Sequence, residues 1–155
     1  MPQDPDFKKA VFAALRKLSY RPRSSAEVTD NLREKGFGDA AIKEAVEHLA
    51  KIGYINDDAF ASYWVEGRTK RKPLGVLGLK KELIKKGIDE DIADGLIKKQ
   101  RSADDDFGIA KRLAHERLEK MGNVEKLKAK KRIYDYLLRR GFEFDVVHKV
   151  LDEVF

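Results

Sequence analysis

Residues 32–42 read "LREKGFGDAAI", residues 83–92 read "LIKKGIDEDI" and residues 137–147 read "LLRRGFEFDVV". Each stretch halts an apolar run at a glycine, places a hydrophobe directly behind it, and then restarts. Gly36, Gly87 and Gly141 therefore predict left-handed helix stops, a conformation that glycine adopts without the Cβ penalty. Phe37 is expected to fold back over the helix it follows, and Asp39 to cap the next one. The three glycines recur at intervals of about fifty residues, which is internal repetition.

Helical periodicity extends outward from these stops. Phe7, Val11, Ala14, Leu15 and Leu18 form a first stripe, ended by "RPRSS". Ser24 stands three residues before Glu27, so "SSAE" predicts a capping box: the serine oxygen accepts from the third helical amide and the glutamate reaches back to the serine amide. The helix it opens carries Val28 and Leu32. A third bears Ile42, Val46 and Leu49 and ends near Gly53. A fourth starts in "NDDAF", a fifth covers about residues 76–86, and a sixth starts near Asp89 with Ile92 and Leu96. The seventh opens on "DDDF", the eighth spans about residues 124–140, and the ninth holds Val146, Val147, Val150, Leu151 and Val154. No strand is expected, because the β-branched residues sit at helical spacing. The fold class is all-α: three tandem three-helix repeats, at 1–55, 56–101 and 102–155, forming an elongated, curved array.

Composition bounds the function. The chain has 155 residues, 42% hydrophobic and 39% charged, with a net charge of +6. That balance suits thin helical units with much surface, and a basic chain of this size points to a polyanionic or acidic partner. The absence of cysteine excludes disulfides, thiolate zinc sites and cysteine nucleophiles. "MPQDPDFKK" lacks the regions of a signal peptide, and no apolar run approaches bilayer length. A cytoplasmic protein without membrane association is expected.

The charge is unevenly placed. Residues 66–86 hold eight basic residues against two acidic ones, and residues 126–140 hold seven against Asp135 alone. Acid gathers at expected helix starts instead: Asp57 and Asp58, Asp89 and Asp91, and Asp104, Asp105 and Asp106. On a wheel of about 100° per residue, Leu127, Ile133, Tyr134, Leu137 and Leu138 cover one broad side of the eighth helix. Lys128, Arg132 and Arg139 form a stripe nearly opposite, broken by Asp135, with Tyr136 on its flank. Any one of these cations has a bland reading as solvated surface. Two concentrated segments in equivalent helices favour a polyanion or an acidic protein surface, bound with salt-dependent affinity.

Other motifs carry less. "GVLG" at residues 75–78 has the spacing of a phosphate-clamping loop, but four-residue matches are common and no flanking strands support it. "LGLKK" lacks the full nucleotide-binding pattern. The acids at 104–106 are explained by a helix start without a metal. His48, His115 and His148 are scattered and read as surface or boundary residues, while Trp64 reads as a core anchor, with an edge exposed for stacking as the alternative. No carboxylate cluster suits metal-assisted hydrolysis. The chain is read as a non-enzyme, with no catalytic, cofactor-binding or metal-binding residues.

The stretch "SSAEVTDNLREKGFGDAAIKEAVEHLAKIGYINDDAFASYWVEGR" resembles the opening of the RecX regulatory proteins, with Asp57, Asp58, Phe60, Ala61, Trp64 and Arg68 at its acidic pair, Phe-Ala, aromatic and Arg positions. "KKELIKKGIDEDI" resembles their middle segment. "YDYLLRRGFEFDVVHKVL" resembles their C-terminal ending, with Arg140, Gly141 and Phe142 its most specific part. The resemblance spans roughly residues 10–154. It implies tandem three-helix repeats and a modulator that binds the bacterial RecA recombinase filament, typically suppressing its ATPase, coprotease and strand-exchange activities. It further implies a place in the groove of the RecA–DNA filament and, for several members, binding to single- or double-stranded DNA. One departure matters: Val76, Leu77 and Gly78 stand where basic residues are common in the family's second repeat. The basic contribution then shifts to Arg68, Lys70, Arg71, Lys72, Lys80, Lys81 and Lys85, joined by Lys128, Lys131, Arg132, Tyr136, Arg139 and Arg140 from the third repeat.

The resulting expectation is a monomeric regulator that bridges recombinase subunits. Two rivals stand beside it. One is a sequence-nonspecific DNA-binding protein built from helix-turn-helix-like repeats, which shows no base-reading set of Arg, Asn and Gln. The other is a helical protein–protein scaffold whose charge serves solubility.

Overall fold

A computed structural model describes residues 4–155. Among them are nine helices and no strand: α1 (Phe7–Leu18), α2 (Ser25–Glu34), α3 (Asp39–Lys51), α4 (Asp57–Lys70), α5 (Val76–Lys85), α6 (Glu90–Gln100), α7 (Ala103–Met121), α8 (Lys126–Arg139) and α9 (Phe144–Val154). The all-α reading holds. The fifth and eighth helices are slightly shorter than the periodicity predicts.

The helix stops follow one rule. Gly36, Gly87 and Gly141 have φ of +90°, +84° and +83°. In each, the glycine amide and the amide behind it turn back onto the last helical carbonyls. Gly36 donates to Arg33 and Phe37 to Leu32, Gly87 to Ile84 and Ile88 to Leu83, Gly141 to Leu138 and Phe142 to Leu137. This double bond is the Schellman arrangement, and it consumes carbonyls that would otherwise lack partners. The hydrophobe behind the glycine enters the core at Ile88 and Phe142 and is half-buried at Phe37. Asp39 is not the cap: Gly38 holds that position, and Asp39 is the first helical residue, where its charge complements the helix dipole.

The chain forms two compact units whose boundary falls within α4, α5 and α6. One comprises the described residues up to Trp64 with Leu83–Ala93. In it α1, α2 and α3 pack on one another around Ala10, Ala14, Val28, Leu32, Ala45 and Leu49, all essentially inaccessible. Alanines on α1 and α3 let the helix backbones approach closely, while Phe7, Val11 and Leu15 close the margins. The other unit comprises Val65–Glu82 and Asp94–Phe155. There α7 lies against α8 and α9 around Ala110, Ala114, Ile133, Leu137, Val147 and Val150.

Each unit contains a joint in which an aspartate serves a helix other than its own. In the first, the Ser24 hydroxyl accepts from the Glu27 amide at 3.1 Å, and Glu27 accepts from the Ser24 amide at 3.4 Å, so the expected capping box forms. The Ser24 hydroxyl also donates to the Lys86 carbonyl at 2.7 Å. Asp57 accepts from the Ser25 amide at 2.8 Å, capping α2 although it lies at the start of α4. In the second unit, Asp106 of α7 accepts from the Val76 amide at 3.0 Å and so caps α5. The next amides of α5, Leu77 and Gly78, donate to the Gly141 carbonyl at 3.0 and 3.3 Å, and the Gly75 amide donates to the Arg140 carbonyl at 2.9 Å. The expectation that these acids stand at helix starts holds for Asp57, Asp104, Asp105 and Asp106, all in the first turn of their own helices. Asp105 adds a capping box with Ser102, whereas the side chains of Asp57 and Asp106 cap α2 and α5.

Candidate polyanion-binding surface

The two basic segments, far apart in sequence, meet in the second unit. Gly75, Gly78 and Gly141 bring the entry to α5 onto the exit from α8 so closely that a Cβ on any of them would collide with the opposing backbone. The "GVLG" turn is thus filled by protein backbone, and its amides have protein acceptors. A phosphate clamp there is ruled out by occupancy. What the turn does instead is place Lys70, Arg71 and Lys72 beside the end of α8, through hydrogen bonds from the Arg140 guanidinium to the carbonyls of Lys72 and Pro73.

This contact divides the expected site residues. The Arg140 guanidinium donates to those carbonyls, and the residue is half-buried. Arg68 pairs with Glu82, and Lys80 lies 3.0 Å from Asp94. These three were expected at a partner surface, but local acids and carbonyls engage their charge. Lys70, Arg71, Lys72, Lys81, Lys128, Lys131, Arg132 and Arg139 are exposed, with no carboxylate in salt-bridge range among the described residues. Lys85 is likewise exposed, on the part of α5 that belongs to the first unit.

α7 and α8 form a groove lined by Arg117, Lys120, Met121, Arg132, Asp135 and Arg139. Four cations converge on it and Asp135 is the only acid, so the groove holds a positive potential that focuses on anions. The Arg117 guanidinium lies 4.6 Å from the centre of the Tyr136 ring, which is half-buried. Arg132, Arg139 and Tyr136 were legible in the sequence; Arg117 and Lys120 were not. Along the chain they alternate with Glu116 and Glu119 in "HERLEK", so a running charge count cancels there. A helical wheel of α7 would have found them, since residues three apart share a face.

Below the surface the same unit carries a buried ion pair. Arg101 and Asp106 have side chains only 1% and 2% exposed, and Nη1 meets Oδ1 at 2.7 Å. Arg101 also donates to the Leu74 carbonyl at 2.7 Å and to the Thr69 hydroxyl at 3.0 Å. The pair therefore ties the segment after α4, the start of α5 and the start of α7 together, which fixes where Lys70, Arg71 and Lys72 emerge. The Asp104, Asp105 and Asp106 run does not gather into a metal site: no group of three or more His, Asp or Glu among the described residues could hold an ion.

The first unit differs. Trp64, expected as a core anchor, is half-buried. It stacks on Phe60 at 5.8 Å, and the Lys86 ammonium lies 4.9 Å from its ring centre. Lys86 also approaches Glu27, whose carboxylate Arg21 holds at 2.6 Å. Burial pushes the Glu27 carboxyl upward, but the Arg21 and Ser24 hydrogen bonds and the Arg21 and Lys86 charges outweigh it, leaving the group below its ordinary value. No helix among the described residues is long and apolar enough to cross a membrane.

Comparison with known proteins agrees with this architecture. Family models match residues 10–49 as the first three-helix domain of RecX, 56–95 as the second and 104–151 as the third. The chain is 34% identical over 152 residues to the "Regulatory protein RecX" of Chlorobium phaeobacteroides, covering 98% of this chain and 97% of that one. It is 36% identical over 148 residues to the protein of the same name from Bacillus licheniformis, of which it spans 56%. The crystal structure of RecX from Lactobacillus salivarius superposes with a TM-score of 0.83 at 28% identity, over 96% of both chains. A second crystal structure, of a regulatory protein RecX, superposes at 0.86 with 22% identity and so speaks to the fold alone. The family is regulatory and not an enzyme family. With three matched domains and 34% identity over nearly the full length of a relative of that name, the chain belongs to the RecX family.

Proposed function

We propose that this chain binds the RecA recombinase filament and lowers its ATPase, strand-exchange and coprotease activities. The single observation that supports this beyond family membership is the α7–α8 groove. Its four cations have no carboxylate in salt-bridge range among the described residues and face outward rather than into the fold. Such a surface attracts nucleic-acid phosphates or acidic protein, and it releases counterions when it binds. The chain acts by occupying a surface, in the cytoplasm, as a monomer and without cofactor. Bound along a filament, it hinders the subunit movements and strand access that recombination needs.

The test is a titration of the purified protein into RecA assembled on single-stranded DNA, read as ATP turnover at two salt concentrations. Turnover falls as the protein approaches stoichiometric amounts, and the fall is smaller at high salt. Unchanged ATPase and strand exchange at stoichiometric amounts sinks the reading. The same groove also supports a second reading, a sequence-nonspecific DNA binder. Binding to bare DNA that weakens steeply with salt and is indifferent to RecA would favour it.

A further inference from the structure

The apolar side of α8 is wider than the core it serves. Ile133 and Leu137 are fully buried, yet Leu127 on the same side is 73% exposed, and Leu138 is exposed as well. On α9, Phe144 is 57% exposed, with its ring 4.3 Å from that of His148 and 6.2 Å from that of Tyr134. Leu127, Tyr134, His148 and Leu151 wall a cleft along the outer edges of α8 and α9. This is a different face of α8 from the one carrying Arg132 and Arg139, because Lys131 and Tyr134 line it instead. Lys130 and Lys131 stand on its rim without a carboxylate in salt-bridge range among the described residues, and Asp152 is its one acid.

An aromatic and aliphatic cleft suits a different ligand from a cationic groove. Phosphodiester backbone gains nothing from Leu127, the most exposed wall, and stacking of single-stranded bases on Tyr134 and His148 is the competing outcome that excess oligonucleotide tests. A protein segment with apolar anchors fills such a cleft, and two uncompensated lysines on the rim select carboxylates beside those anchors. We infer that the α8–α9 cleft is a docking site for an acidic amphipathic segment of a protein partner, taken as a short helix with apolar anchors and flanking carboxylates. Its anchors lie against Leu127 and the Tyr134 and His148 rings, and its carboxylates lie near Lys130 and Lys131. α8 then presents an anion groove on one face and a peptide cleft on another.

The inference is independent of the RecA reading, and its test contains no recombinase. The full-length chain is titrated into a fluorescein-labelled peptide of about fifteen residues, with leucines at i and i+4 and flanking glutamates, and anisotropy is recorded. Saturable binding is expected. Leu127→Ser, or replacement of the peptide leucines by serine, should weaken it about tenfold or more, the scale of one lost apolar anchor. Lys130→Glu with Lys131→Glu should also weaken it about tenfold. Arg132→Ala with Arg139→Ala, and excess oligonucleotide, should leave it within about twofold. Leu127 is solvent-exposed, and circular dichroism of each variant verifies its fold. No saturable binding overturns the inference, as does competition by oligonucleotide. A self-association of the chain, detected by light scattering and lost in Leu127→Ser, also overturns it by assigning the cleft to a second copy.

Discussion

Gly141 rests on the backbone of Gly78, and neither position has room for a Cβ: one on Gly78 would lie 2.9 Å from the Arg140 carbonyl oxygen, and one on Gly141 would strike the Gly78 backbone. Gly141 also has φ of +83°, which places two demands on the same residue. Gly36 has the same left-handed conformation, but open space surrounds the position a Cβ would take.

The pair yields a graded prediction. Gly36→Ala should cost about 1 kcal/mol, the left-handed strain alone. Gly141→Ala should cost about 2–4 kcal/mol, since overpacking against rigid backbone adds to that strain. Urea unfolding of the two variants measures the difference, and equal costs would contradict the close approach.

Asp106→Ala leaves the Arg101 guanidinium buried without its counterion and the Val76 amide without its acceptor. A loss of about 3–5 kcal/mol is expected. Arg101→Met combined with Asp106→Leu should recover part of it, because no unpaired charge remains. A shift in unfolding midpoint decides the matter.

Arg132→Ala with Arg139→Ala should leave stability within about 0.5 kcal/mol, as both side chains are exposed. Binding to a polyanion should weaken, and the slope of log K against log salt should fall by about one for each cation removed. Arg140→Ala should do the opposite, lowering stability because the Lys72 and Pro73 carbonyls lose their donor. Salt-dependent anisotropy and thermal unfolding together separate the two roles.

Glu27 couples the first unit to pH. Its folded carboxyl lies below the ordinary value of 4.5, so its contribution is present above the unfolded value and is lost as pH falls through the lower, folded one. Stability should therefore drop on acidification below the ordinary glutamate range. Glu27→Gln should show a shallower drop. Because the side chain is partly solvated, the difference is small, and urea midpoints across that acid range measure it.

The stops and the capping box were legible because they are local. A glycine flanked by an apolar run and a hydrophobe, or a serine three residues before a glutamate, specifies its geometry within one helical turn. The buried stripes of α2, α7 and α9 were legible for the same reason of periodicity. The wheel of α8 overstated its core face, since a wheel cannot say how far a neighbour reaches: α9 covers Ile133 and Leu137 and leaves Leu127 bare. The site was half legible, because Arg132 and Arg139 sit in a net basic run, whereas Arg117 and Lys120 are masked by interleaved glutamates.

The sequence by itself determined the helices, their stops, their grouping in threes and an excess of cations in two segments. Each follows from bonds and charges within a few residues along the chain. Only tertiary structure decided which cations the fold engages and which stay exposed. Whether Arg140 faces solvent or the carbonyls of Lys72 and Pro73, and whether Asp106 caps its own helix or that of Val76, depends on chain segments between thirty and seventy residues away. A charge near an unfilled carbonyl or a bare helix amide is drawn inward, and one without such a neighbour stays outside.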